Sequence, residues 1–337
     1  MKKNYQVFIG IDVSKCKLDY CVINDPSSTK HHYGIVANNE KGIKQLISSL
    51  KKKFISEQMI ICLENTGVYS MPICYWEQLY EIDYWVVPAL EIRRAKGISR
   101  GKNDKADSKD IASYCITHLH LVKLTTLPQN DFIELRLLLA EREKLVKAIG
   151  MFKMTKESQG FLPKEVLKVT FAHNKKTTEV LQKQLNKIEK ILQALIDNNP
   201  TFKEQQKLLK TIPGVGHQTS VNLIAITYAF TAFKNWRKFA CYCGVAPFEY
   251  KSGSSIKGRT RVSHLANKKI KALLNMAALT AKKNDLEMKA YYDKKVKEGK
   301  NKMLVLNSIR CKIISRAFAV VQRNTPFVNV NKFKTAA

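Results

Sequence analysis

Apolar and polar positions fall into short blocks along the first 125 residues and into long helical stripes beyond about residue 131. Apolar runs at 6–12, 18–24, 32–36, 58–63 and 84–87 are short and set off by polar turn residues, which predicts five strands. The stretches 40–52 and 70–80 between them carry apolar residues at helical spacing. Three early strands joined by short turns predict an antiparallel meander. The strand-helix alternation that follows predicts parallel additions, and the whole an α/β domain with a mixed sheet.

In TTEVLQKQLNKIEKILQALIDNNP, Leu181, Leu185, Ile188, Leu192 and Leu195 are spaced four, three, four and three apart, a heptad seam. Thr177 or Thr178 is expected to open this helix, and Asn198-Asn199-Pro200 to stop it. An earlier helix carries Leu135, Leu138, Leu145, Ile149 and Phe152 in a similar stripe, interrupted by Arg142. The two suit an antiparallel hairpin, a dimerising coiled coil, or two core helices of one bundle. A third, mostly α-helical and strongly basic region is entered through Pro213-Gly214-Val215-Gly216. Glycines there let backbone amides approach a phosphate, as in helix-hairpin-helix DNA-binding elements, although a tight helix-helix turn needs the same residues. The expected division is 1–125, 126–200 and 201–337.

Charge changes the picture most. Among 337 residues, 58 Lys and Arg face 28 Asp and Glu, a formal net charge of +30. A field of that sign attracts polyanions, nucleic acid above all, and gives affinity without sequence specificity. No apolar run approaches the roughly 18 residues that span a bilayer, and no signal-peptide core is present, so a cytoplasmic protein without a membrane partner is expected. The eight cysteines are scattered without a CxxC pair, which predicts reduced core thiols; Cys241 and Cys243 are too isolated for a structural zinc site.

Candidate chemistry begins at Asp12, a lone carboxylate closing the first apolar run, and continues at Glu64, which closes the run 58–63 in the same way. Two acids at strand ends of one sheet can face each other. Asp104 and Asp107 stand three apart in KNDKAD, on one face of a helix begun near Asn103, with Asp110 on that same face. Converging carboxylates repel unless a cation neutralises them, and Mg²⁺, with its preference for hard oxygen ligands, suits such a set. Two ions about 4 Å apart stabilise both the attacking and leaving oxygens of a phosphodiester displacement. Between residues 251 and 271 lie Lys251, Lys257, Arg259, Arg261, Lys268, Lys269 and Lys271 with no acid among them, a candidate nucleic-acid-binding stretch.

Asp12, the ENTG at 64–67, the KNDKAD at 102–107, the helical middle, IPGVG at 212–216 and GVAPFEYKSG at 244–253 together resemble the DEDD transposases of bacterial insertion sequences. That family is related to the Piv invertase and includes bridge-RNA-guided recombinases. The likeness runs in order along essentially the whole chain. It implies an N-terminal RNase H-like, RuvC-type domain, a coiled-coil region, and a C-terminal transposase domain with a nucleophilic serine. The family's acidic quartet falls on Asp12, Glu64, Asp104 and Asp107, and its serine on Ser252. The resemblance further implies Mg²⁺, DNA at the element ends and target, a structured non-coding bridge RNA, and a dimer or tetramer. Asn103, Ser108 and Ala266 depart from the usual pattern, at positions other than the acids and the serine. By residue type alone, Ser252 reads as a turn serine, and Ser254 and Ser255 compete with it.

Three other readings stay open, one of them a nucleic-acid-binding protein without catalysis. A structure-specific nuclease of the junction-resolving kind would use the quartet with metal-activated water and leave Ser252 as a phosphate contact. An actin-like kinase shares the look of GIDVSKCKLD, but no second Gly-rich loop follows at 58–70, and a small substrate needs no charge of +30.

Overall fold

A computed structural model describes residues 3–28, 31–95, 103–153, 163–252, 256–263 and 265–329, the side chains of Val68, Lys164, Tyr250, Lys251, Ser252, Ile256, Lys257 and Arg259 excepted. The chain divides into two compact units, Met1–Leu127 and Pro128–Ala337.

The first unit is a five-stranded sheet with helices on both faces. Strands β1 (Val7–Val13), β2 (Lys17–Ile23), β3 (His32–Ala37), β4 (Met59–Glu64) and β5 (Tyr84–Val87) lie in the order β3-β2-β1-β4-β5. β1, β2 and β3 form the expected antiparallel meander, and β4 and β5 add in parallel beside β1. Each strand begins and ends within a residue of its predicted run. Period-two alternation sorts the side chains: Val7, Ile9, Ile11 and Val13 of β1 join Met59, Ile61 and Leu63 of β4 in one cluster. That cluster packs under α1 (Glu40–Lys53) and α2 (Met71–Leu79) through Ile43, Leu46, Ile47, Leu50, Ile73 and Cys74. Phe8, Ile60 and Cys62 take the opposite face with Ile111, Tyr114 and Cys115 of α4 (Asp104–Thr117). Before α4 come α3 (Ala89–Ala95) and residues outside the description. Asn103 opens α4 as expected, its side chain accepting from the Lys105 amide.

One glycine decides how closely α4 lies on the sheet. A Cβ on Gly10 would stand 2.2 Å from the Ser108 carbonyl oxygen and 2.3 Å from the Ala112 nitrogen, both backbone atoms of α4. Only hydrogen fits between β1 and that helix.

The second unit is helical with one hairpin. Its helices are α5 (Asn130–Phe152), α6 (Lys164–Asn198), α7 (Pro200–Lys210), α8 (His217–Thr227), α9 (Trp236–Tyr242), α10 (Lys268–Asn284), α11 (Leu286–Lys297) and α12 (Lys302–Arg323). Strands β6 (Pro247–Ser252) and β7 (Ile256–Val262) pair antiparallel after α9. α5 and α6 pack on each other, Leu185 and Leu192 buried and Leu181, Ile188 and Leu195 half-buried. Arg142, which interrupts the α5 stripe, meets Glu189 of α6 at 2.9 Å. The opening of α6 differs from expectation: it begins at Lys164 behind Pro163, well before Thr177. The residues from 165 to 176 bury little and extend the helix without an apolar seam, so the seam marks where α6 packs and not where it starts. Its end is as expected, Asn199 closing α6 and capping α7 by accepting from the Phe202 amide.

Leu135, Leu192 and Ile196 share one core with Phe202, Leu209 and the helices that follow. The regions expected as 126–200 and 201–337 are thus joined by a common interior. In the Pro213–Gly216 turn, Gly214 has φ +88° and the place of its Cβ is taken by the Ala277 carbonyl oxygen at 2.3 Å, so close packing against α10 requires that glycine. Gly216 caps α8 and has open space beside it.

Two outcomes follow from this packing. Gly10→Ala forces α4 off β1 and lowers the unfolding free energy by about 1–3 kcal/mol, the usual range for overpacking, measurable by denaturant titration. Glu77 of α2 is fully buried with neither carboxylate oxygen hydrogen-bonded among the described residues, and burial raises its pKa well above the ordinary value. A raised folded-state pKa favours the fold at low pH, and that advantage is lost as pH rises toward the folded value. Glu77→Met therefore stabilises the protein by about 1–3 kcal/mol or more near neutral pH and by less in acid, read from melts across a pH series.

Candidate active site

Asp12 follows Phe8 and Gly10 on the α4 face of β1, and alternation in β4 puts Glu64 on the same face as Ile60 and Cys62. The close approach at Gly10 seats the first turn of α4 above these strand ends. As a result, carboxylate oxygens of Asp12, Asp104 and Asp107 all lie within 4.8 Å of one another, each residue half-buried. Glu64 stands outside that triplet, yet its charge adds to the repulsion on Asp12. Asp110 is outside it too: it lines a depression with Ile92, Ser113 and Thr117 between α3 and α4.

The electrostatics report the crowding. Desolvation raises Asp12 most, followed by the charges of Asp104, Asp107, Glu64 and Asp19, to a pKa of about 6. A hard divalent cation is the natural counter-charge for such oxygens. The donor set fits Mg²⁺, with Asp12, Asp104 and Asp107 placed to share an ion and Glu64 beside them.

Three further residues belong to this site and escaped the pattern of strand-end acids. Asp19 pairs directly across from Asp12 in the β1–β2 register and is almost fully buried. Tyr33 donates its hydroxyl to Asp19 Oδ1 at 2.5 Å, and Lys17 Nζ bridges Asp19 Oδ2 at 3.0 Å and Asp104 Oδ2 at 2.7 Å. These hydrogen bonds hold Lys17 well above its ordinary pKa, Asp104 contributing most. The available signal was an acid inside the alternation of KLDYCVI, where the cluster face expects an apolar residue.

In the second unit, β6 brings the backbone of Ser252 opposite Ile256, the last pair at the turn end of the hairpin. The side chains of Ser252, Lys251, Lys257 and Arg259 lie outside the described residues. Arg261 and Lys268 are exposed, Lys271 is half-buried, and Lys269 pairs with Glu143 of α5 at 2.6 Å. Among the described cysteines, Cys21, Cys62, Cys74, Cys115 and Cys243 are buried free thiols, Cys16 is exposed, and Cys241 and Cys311 are intermediate. No helix of the described residues is long and apolar enough to cross a membrane.

A mixed sheet presents converging carboxylates on a chain of net charge +30. Comparison with known proteins names the family. Residues 9–159 match the DEDD transposase model of the IS110 type, and residues 206–293 match that of the transposase IS116/IS110/IS902 family. The chain is 24% identical over 326 residues to the pilin gene-inverting protein of Moraxella lacunata, covering 96% of this chain and 98% of that one. The pilin gene-inverting protein of Moraxella bovis is similar to the same extent. An uncharacterized 43.6 kDa protein of insertion element IS110 from Streptomyces coelicolor is 27% identical over 145 residues, covering 43% of this chain and 35% of that one. Among solved structures, T. thermophilus RuvC in complex with a Holliday junction substrate aligns over 36% of this chain and all of that one, at 10% identity and a TM-score of 0.27. The chain belongs to the IS110 family of DEDD transposases and recombinases, enzymes of DNA recombination.

The raised pKa of Asp12 has a measurable sign. Without metal, the folded state gains from a proton on Asp12, and the gain is lost as pH rises through about 6. Asp12→Asn therefore raises the metal-free melting temperature at pH 8 and leaves it unchanged at pH 4. Divalent-ion affinity of the wild type, followed by Mn²⁺ titration, falls about tenfold per pH unit below 6 as the proton competes.

Proposed function

We propose that this chain is a Mg²⁺-dependent insertion-sequence recombinase that cuts and rejoins DNA through Ser252. The observation that carries the reading is the convergence of Asp12, Asp104 and Asp107 within 4.8 Å, on a chain whose net charge is +30. A local acid cluster in so basic a protein needs a purpose. Asp12, Glu64, Asp104 and Asp107 would hold the metal, one ion or two, on an RNase H-like sheet. Bound there, Mg²⁺ supplies charge stabilisation to phosphodiester oxygens.

The rest belongs to the chain's own side chains. Ser252 Oγ attacks the phosphorus of one DNA strand; the Oγ–P bond forms as the bond to a deoxyribose oxygen breaks, and that oxygen leaves with a proton. The phosphoserine link preserves the energy of the phosphodiester, so a second strand end can attack it and restore Ser252 without net hydrolysis. Lys251, Lys257, Arg259, Arg261, Lys268, Lys269 and Lys271 bind phosphates around the reacting strand, stabilising charge on the non-bridging oxygens. Sequence choice falls to a bridge RNA paired with donor and target DNA, its backbone held by the basic surface, and the chain works as a homo-oligomer.

The test is a denaturing-gel assay for a protein-DNA adduct, using the full chain, Mg²⁺, the element's end sequences and the flanking transcript. Wild type is expected to form the adduct, and Ser252→Ala and Asp12→Ala to lose it at least a hundredfold, on the order of the loss of a nucleophile or metal ligand. Cleavage without an adduct, undiminished in Ser252→Ala, makes the protein a hydrolytic nuclease that uses metal-activated water.

A further inference from the structure

In the second unit, the charge most at odds with its surroundings is Arg310, near the middle of α12. It is 5% exposed, and its Nε has no hydrogen-bond partner among the described residues. One terminal nitrogen donates to Oδ1 of Asn275 on α10, and the other lies 3.4 Å from Oδ1 of Asn307. Both acceptors are neutral amides, and no carboxylate among the described residues pairs with it. Two other arginines of the same unit pair with carboxylates. Arg316, two turns along α12, meets Asp285 at 3.1 Å and Glu287 at 2.7 Å, and Arg142 meets Glu189. A buried guanidinium without a counter-anion carries a desolvation penalty that apolar replacement would remove. Burial also pulls its pKa below the ordinary arginine value.

Its frame points to a ligand. Asn307 Nδ2 donates to the Val245 carbonyl oxygen at 2.6 Å, which turns its Oδ1 toward the guanidinium. Val245 lies two residues before β6, the strand that ends at Ser252. On α10, Lys268, Lys271 and Asn275 share one helix face, and exposure falls from the first to the other two. That helix contains no acid. A row of cations and amides on α10 thus runs from the exposed Lys268 to a buried guanidinium that has no anionic partner among the described residues.

We propose that Arg310, framed by Asn275 and Asn307, is the seat of a backbone phosphate from the nucleic-acid strand handled by the β6–β7 hairpin. A phosphodiester supplies the missing counter-anion, and the guanidinium offers paired donors to its two non-bridging oxygens. Lys271 draws the phosphate inward from solvent. This inference rests on the reading of the chain as an enzyme acting on DNA, and Arg310 lies beyond the residues 206–293 that match the family.

The experiment compares full-length wild type, Arg310→Met and Arg310→Lys. Binding to a labelled DNA duplex and, in a parallel arm, a labelled RNA hairpin is measured over a salt series, with melts in the absence of nucleic acid. Arg310→Met is expected to bind about tenfold more weakly and to lower the salt slope by about one, with a Tm no lower than wild type. Arg310→Lys restores the slope but not the full affinity, since it keeps the charge and loses the planar fork. The arm that shows the loss identifies the strand as DNA or RNA. Unchanged affinity and slope on both probes overturn the inference and leave Arg310 a bridge between α10 and α12, which a lower Tm for Arg310→Met would accompany. Failure of wild type to bind either probe overturns the parent reading, and the inference with it.

Discussion

The contact between Gly10 and the backbone of α4 is the constraint on which the site depends. A helix carrying two acids in its first turn reaches the carboxylate on β1 only because no side chain stands between strand and helix. The Asn103 cap then fixes where that first turn begins. Packing and chemistry meet in the same few residues: Gly10 and Asp12 are two apart on one face of one strand, the first admitting α4 and the second receiving its acids.

Electrostatics set the cost of that arrangement. Asp12, Asp19, Glu64, Asp104 and Asp107 crowd one end of a sheet, and the protein offsets this within the unit through Lys17, which bridges Asp19 and Asp104, and through the Tyr33 hydroxyl. Desolvation first, and then the residual repulsion, raise the pKa of Asp12. Sites that bind cations store this kind of strain, since the ion that relieves it gains affinity by doing so.

The second unit holds the opposite kind of unbalanced charge. Its core is continuous from α5 to α12, so the long helical hairpin and the basic C-terminal helices are built around one interior. Within that interior the partners of Arg310 among the described residues are amides, while Arg316 on the same helix is doubly paired with acids. One unit concentrates carboxylates, and the other buries a guanidinium.

Sequence by itself determined the strands, their order of meander then parallel addition, and the inward stripes of α5 and α6, because each follows from local periodicity. It also marked Asp12, Glu64, Asp104 and Asp107, since an acid at the end of an apolar run or in a capped first turn is a local feature. Tertiary structure decided which of them converge. Asp104 and Asp107 come to Asp12 across more than ninety residues of chain through the Gly10 contact, Asp110 turns toward α3, and Asp19 enters only because β2 pairs with β1 in a register that sets it opposite Asp12. The start of α6 and the solitude of Arg310 were illegible for the same reason. A helix can run on by propensity without a seam, and whether a buried charge has a partner depends on residues from other helices, which no local pattern encodes.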